Sequence, residues 1–264
     1  MRWLCVLLTV AVVSPTSASP GDASVAGVVL SVEENLTRLR EQLPDFICRE
    51  RITSESFLGN EVVRESVIES NFTGLQSPDK KRGLAFTEIR EVQTVNGKHV
   101  GKHWKLKAPY LFTGGFSSSL WSVFGPLGPK YHVYGFFAPD GMGNDNRFEV
   151  VGFRSKPGAP PLLMQDHGHV TPYTDSGIAY VDPSTHEVKL LELMINFSKN
   201  GERPLAVSIQ YREVAIGGQS FSLPTTVRVR EGDPESKNTP GGLFVAEYSG
   251  YRKFTASSEI KFGP

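Results

Sequence analysis

From Leu205 the chain alternates. Leu205, Val207, Ile209 and Tyr211 fall on one side of an extended segment, and Ala206, Ser208, Gln210 and Arg212 on the other. Successive side chains of a strand point to opposite faces, so this is a strand with one apolar and one wet face. After Gly217-Gly218 the pattern returns, with Phe221, Leu223, Thr225, Val227 and Val229 set against Ser222, Thr226, Arg228 and Arg230. Turn signals join such segments antiparallel. Asn96-Gly97 is the preferred type I′ pair. Asp182-Pro183-Ser184-Thr185 has Asp and Pro at the first two positions of a type I turn.

Three segments depart from this rhythm. Ser31 and Glu34 form an S-x-x-E capping box, and Val32, Leu36, Leu39 and Leu43 then recur at helical spacing up to Pro44. Glu33, Glu34, Arg38, Arg40 and Glu41 occupy the other faces, so the helix should lie on an apolar surface with its charges outward. "VKLLELMINF" is apolar on both sides, with Leu191, Leu193, Ile195 and Phe197 on one and Val188, Leu190 and Met194 on the other. That predicts a strand covered on its back, with the helix as the candidate cover. From Trp104 to Phe137 there are ten aromatics, against 27 in the whole chain, in a stretch rich in Gly and Pro. Its segment "SSSLWSVF" predicts a short helix that starts at a serine.

The first nineteen residues follow a different pattern. Arg2, the apolar run Trp3–Val13 and the small residues Ser14–Ser19 have the order of a secretory signal peptide, and the run is too short for a permanent span. The division expected is 1–19 signal peptide, 20–29 flexible segment and 30–264 a single β-rich domain. Cys5 falls inside the apolar run, which leaves Cys48 alone and without an internal disulfide. Cys48 shares a strand face with Phe46, which predicts a buried thiol. Lys plus Arg and Asp plus Glu are 28 each. No basic excess points to nucleic acid, no second run is long enough for a transmembrane anchor, and no cofactor motif is present.

Catalytic signals are weak. Gly115–Ser119 lacks the last glycine of a nucleophile elbow, and Ser119 reads better as part of a helix start. Ser77–Lys80 spells S-x-x-K, but on a polar turn without its companion motifs. His167 and His169, two apart, would share a strand face and are the weak candidates for a metal.

The stretches "GIAYVDPSTHEVKLLEL", "QYREVAIGGQSFSLPTTVRV", "LPDFICRER" and "SSSLWSVF" resemble blocks of uncharacterised secreted bacterial proteins. The order of strand, Asp-Pro turn, two strands, hairpin and a strand ending in Leu-Pro is similar to the periplasmic lipoprotein carriers of the LolA/LolB type. The likeness spans residues 30 to 230. It implies a mainly β fold, a single curved antiparallel sheet (a half-barrel), with an N-terminal helix and a short helix and aromatic loop over its apolar face. It also implies a lipid, an acyl chain or a lipidated protein as partner, carried in the periplasm or outside the cell. Such a trough and lid would be formed by Trp104, Phe116, Trp121, Phe124, Leu205, Val207, Ile209, Tyr211, Phe221 and Leu223. Two alternatives stand beside it: an envelope protein whose trough is permanently filled, and an envelope hydrolase or metal enzyme.

Export is directly testable. N-terminal sequencing of the secreted protein is expected to begin at Ser19 or Pro20, within a residue or two. An intact Met1 on the mature chain would contradict it.

Overall fold

Turn chemistry fixes which strands are neighbours, and the longest-range pairing fixes the rest. The computed structural model describes residues 24–76, 86–101, 108–112, 115–116, 118–137, 147–166, 169–198, 203–232 and 239–254. The elements begin with helix α1 (Val25–Gln42) and strands β1 (Phe46–Leu58), β2 (Glu61–Gln76), β3 (Phe86–Val95) and β4 (Lys98–His99). Two short helices, α2 (Ser118–Phe124) and α3 (Gly128–Tyr131), lead into β5 (His132–Phe136), β6 (Glu149–Ser155), β7 (Leu162–Asp166) and β8 (His169–Val181). The chain continues through β9 (Val188–Phe197), β10 (Leu205–Ile216), β11 (Gln219–Glu231) and β12 (Pro240–Lys253). All twelve strands belong to one antiparallel sheet that does not close into a barrel, in the order β4-β3-β2-β1-β12-β11-β10-β9-β8-β6-β5, with β7 paired to β8.

The expected hairpins are present. Asn96 and Gly97 both have positive φ, 49° and 74°, as a type I′ turn requires, and they join β3 to β4. Gly217 and Gly218, at 60° and 85°, join β10 to β11 in the same way. At the β8–β9 turn the Asp182 carboxylate accepts from the Ser184 hydroxyl at 2.6 Å and from the Ser184 and Thr185 backbone N–H groups at 2.8 and 3.1 Å. Those hydrogen bonds, that of the Ser184 hydroxyl foremost, hold its carboxyl down at about 2.

The alternation read from the sequence ends at Val229 and Arg230, and β12 lies beyond it. This strand lies between β1 and β11 and pairs with both along much of its length. Phe244, Ala246 and Tyr248 point into the core from it. The Tyr110 ring lies against Gly242, where a Cβ would clash with it. The Ser54 hydroxyl holds that tyrosine's backbone by donating to its carbonyl and accepting from its N–H.

The apolar face is the inner one. Leu205, Val207, Ile209 and Tyr211 are buried, and Ala206, Gln210 and Arg212 are exposed. The expected alternation of β11 breaks at one point. Gln210 pairs with Thr226 but Tyr211 pairs with Pro224, which leaves Thr225 as the extra residue of a β-bulge. Proline has no N–H to give to a ladder and is accepted in strands at such bulges. Pro224 is buried, and Thr225 is only half-buried.

Two expectations need correction. Helix α1 starts at Val25, ahead of Ser31–Glu34 and inside the segment read as flexible. Its cap is Ser24, whose hydroxyl accepts from the Gly27 N–H at 3.1 Å. Val28 and Val29 are buried and extend the apolar stripe of Val32 and Leu36 by a turn, which makes the earlier start the favourable one. The back of β9 is not covered by this helix. Leu191, Leu193 and Ile195 point inward, and Met194 is exposed on the outer face.

Cys48 is buried on the inner face of β1, and desolvation there pushes its thiol up to about 12. Since the thiolate is the reactive form, a thiol reagent should label the native protein only as fast as the sheet opens, and label it freely in denaturant. Rapid labelling without denaturant would show that β1 is not packed in this way.

Candidate apolar ligand site

The site lies where two helices meet the inner face of the sheet. α1 is pinned at its middle and at its C-terminal end. Asn35 Nδ2 donates to the Thr185 carbonyl at the β8–β9 turn at 2.7 Å. Gln76, at the end of β2, donates through Nε2 to the carbonyls of Arg40 and Leu43. Its backbone N–H donates to Asp45 Oδ1 at 2.7 Å.

α2 is held by aromatic packing on both sides. Phe116, two residues before it, packs on Phe46, Phe72 and Tyr248 with ring centroids at 5.7, 4.8 and 4.9 Å. Phe124, its last residue, stacks on Tyr134 at 5.7 Å and meets Phe153 edge-on at 6.1 Å. The Tyr134 hydroxyl donates to the Val123 carbonyl. These contacts require a curled sheet. β2 and β6 are seven strand steps apart, about 34 Å if the sheet were flat. A helix of seven residues is about 10 Å long. The chain from Phe116 to Phe124 touches both strands, so the inner face must be a trough.

A partly enclosed cavity of about 280 Å³ opens between α1, α2, the β8–β9 turn and the β10–β11 hairpin. Its apolar lining includes Val32, Leu36 and Leu39 from α1, Phe116, Leu120 and Trp121 from the α2 region, and Tyr211, Phe221, Leu223 and Pro224 from the sheet. Its polar lining includes Asn35, Arg38, Arg40, His186, Glu187 and Ser222. The Arg40 guanidinium lies 5.1 Å from the centre of the Trp121 ring, a cation–π contact that ties α1 to α2. The bulge brings Tyr211 and Pro224 to the same place. Burial pushes the Tyr211 hydroxyl well above the usual phenol range, so it stays protonated and can donate.

Of the residues singled out from the sequence, Phe116, Trp121, Tyr211, Phe221 and Leu223 all line this cavity. Leu205, Val207 and Ile209 continue the same row as buried core of the trough, and Phe124 is fully buried at the end of α2; none of the four lines the cavity. Trp104, His167 and Ser77–Lys80 lie outside the described residues. The backbone of His169 pairs with Asp166 in the β7–β8 ladder. Ser119 is in α2, where its carbonyl accepts from the Ser122 hydroxyl at 2.8 Å. The sequence reading missed Leu39, His186 and Pro224. Pro224 had a visible signal, a proline inside an otherwise regular strand.

Two buried polar groups lie away from the cavity. Arg90 Nε donates to both carboxylate oxygens of Glu50, at 2.9 and 3.0 Å, and the guanidinium lies 5.0 Å from the Phe72 ring centre. Burial raises the Glu50 carboxyl, opposed by the charge of Arg90. Asp175 Oδ1 accepts from the Ser155 hydroxyl at 2.8 Å and lies 2.9 Å from His132 Nε2, while His132 Nδ1 faces the Gly128 carbonyl at 3.2 Å. None of these residues lines the cavity. They join β1 to β3 and the α3–β5 corner to β6 and β8. No three potential metal ligands cluster among the described residues.

No family model matches the chain, and no curated protein matches it. Among solved structures it is similar to a DUF1329 family protein from Desulfovibrio piger, at 14% identity and a TM-score of 0.38, over 87% of this chain and 95% of that one. It is also similar to a LolA superfamily protein from Nitrosomonas europaea, at 10% identity and a TM-score of 0.31, over 89% of this chain and 96% of that one. No helix among the described residues is long and apolar enough to cross a membrane.

The Arg40–Trp121 contact yields a specific expectation. Arg40→Ala should speed hydrogen exchange of the α2 amides, by an amount corresponding to about 0.5–2 kcal/mol, and leave the β1–β12 ladder unchanged. Unchanged exchange in α2 would mean that the contact contributes nothing to holding it down.

Proposed function

We propose that the protein is an exported, non-enzymatic binding protein that holds one acyl chain, free or attached to a lipid or lipidated protein, in the cell envelope. The observation that carries this reading is the cavity itself: partly enclosed, more apolar than polar, and walled on one side by a short helix. Its volume, about 280 Å³, sits at the lower edge of the roughly 300–1,000 Å³ range of small-molecule sites. That suits a single chain and not a bulky lipid. Phe116, Trp121, Tyr211, Phe221 and Leu223 contact the chain. Phe124, Leu205, Val207 and Ile209 pack in the core beyond the cavity.

A second reading has its own support. Phe116 is 5% exposed and Phe124 fully buried, and both pack as core aromatics do. They act as fixed anchors at the two ends of α2, and a permanently filled structural domain would need the same anchors. The residue that separates the readings is Trp121, which is only half-buried, lines the cavity and rests under Arg40.

Phe124→Ala is expected to cost about 3–5 kcal/mol of stability, as for a core aromatic. Trp121→Ala should cost clearly less and should alter the affinity for a fluorescent fatty-acid probe. If Trp121→Ala unfolds like Phe124→Ala, and the wild type takes up no such probe, the filled structural domain is the correct reading.

A further inference from the structure

The cavity floor carries a polar group without a partner. Tyr211 is 5% exposed and lines the cavity, and its hydroxyl is buried with no hydrogen-bond partner among the described residues. Ser222 lines it too, and its hydroxyl is likewise buried and unpartnered. Buried polar atoms are nearly always hydrogen-bonded, because leaving one unmade forfeits its interaction with water. The neighbouring tyrosines show the usual arrangement: Tyr134 donates to the Val123 carbonyl and Tyr251 to the Pro224 carbonyl. Tyr211 differs from them in lining the cavity.

The position of Tyr211 follows from the bulge. Pro224 sits opposite Tyr211 and brings no N–H, and the register slips there by one residue. A bulge re-aims the side chains beside it. The charged groups of the cavity, Arg38, Arg40 and Glu187, belong to α1 and to the β8–β9 turn and not to this strand pair. The floor therefore offers an uncharged donor within apolar surroundings. That matches an uncharged acceptor, since an ionised head would lose its hydration at the floor for a single neutral hydrogen bond.

We propose that the Tyr211 hydroxyl is the polar anchor of the cavity, donating to the carbonyl oxygen of an ester- or amide-linked acyl chain. This rests on the acyl-binding reading above. It adds the chemical class: a neutral acyl group recognised at its carbonyl, with its chain along the Phe221 and Leu223 side.

The test compares methyl decanoate with dodecane, two chains of equal length of which only the first has a carbonyl. Both are delivered from cyclodextrin, and affinity is read by displacement of N-phenyl-1-naphthylamine from the full mature chain. Tyr211→Phe is expected to weaken methyl decanoate about ten-fold, the size of one hydrogen bond to a buried donor, and to leave dodecane within about two-fold. Without ligand the variant should melt at the wild-type temperature or above, because it loses an unpartnered hydroxyl. Equal changes for the two compounds, or no change for either, would overturn the anchor while leaving acyl binding intact. A variant that melts several degrees lower would also overturn it, by showing that the hydroxyl has a partner in the protein. Wild type that binds neither compound would remove the acyl-binding reading and the anchor together.

Discussion

Everything in this fold depends on the pairing of β12 with β1 on one side and β11 on the other. The strands before the helical segment, β1 to β4, form one antiparallel meander, and those from β5 to β11 form another. Only the last strand joins them. Its ladder supplies backbone hydrogen bonds to both halves, and its inward row of Phe244, Ala246 and Tyr248 supplies the apolar surface where the two halves meet. Without it there would be two separate sheets, each with an uncovered inner face and a long open edge.

Once the halves are joined, curvature does the rest. The trough needs a cover, since about 25 cal/mol is lost for each Å² of apolar surface left in water. α1 and α2 provide it, α1 through the buried stripe Val28, Val29, Val32 and Leu36 and α2 through aromatics at its two ends. α1 is tied by Asn35 and Gln76, and α2 by Phe116 and Phe124. Between those anchors the packing is incomplete, and the cavity lies there. The bulge at Thr225 places Tyr211 at its floor. Burial of Glu50 with Arg90, and of His132 with Asp175, belongs to the joining of strands at the two ends of the sheet and takes no part in the cavity.

Much of this was legible in the sequence, and the failures have physical causes. The turns could be read because Asn96-Gly97 and Gly217-Gly218 carry their conformation in their own residue types. The row Leu205 to Tyr211 could be read because a strand with one covered face alternates. The cover could be read in outline, because aromatics gathered in a Gly/Pro-rich stretch need somewhere to pack. β12 could not be placed, because its partner β1 lies about two hundred residues earlier and nothing local in the sequence signals that pairing. The helix start was misplaced because Ser31 and Glu34 mimic a cap while Ser24, a turn and more earlier, makes the actual one. His132 and Asp175 looked like nothing in sequence. They meet only because β6 sets β5 and β8 on its two sides.

If the space between the helices and the sheet holds an acyl chain, native mass spectrometry of the protein, gently extracted from its source, will show it. One acyl-bearing adduct per chain is expected, lost on delipidation and restored by incubation with an acyl ester. A protein that flies only at its bare mass, and takes up no ester after incubation, would contradict it.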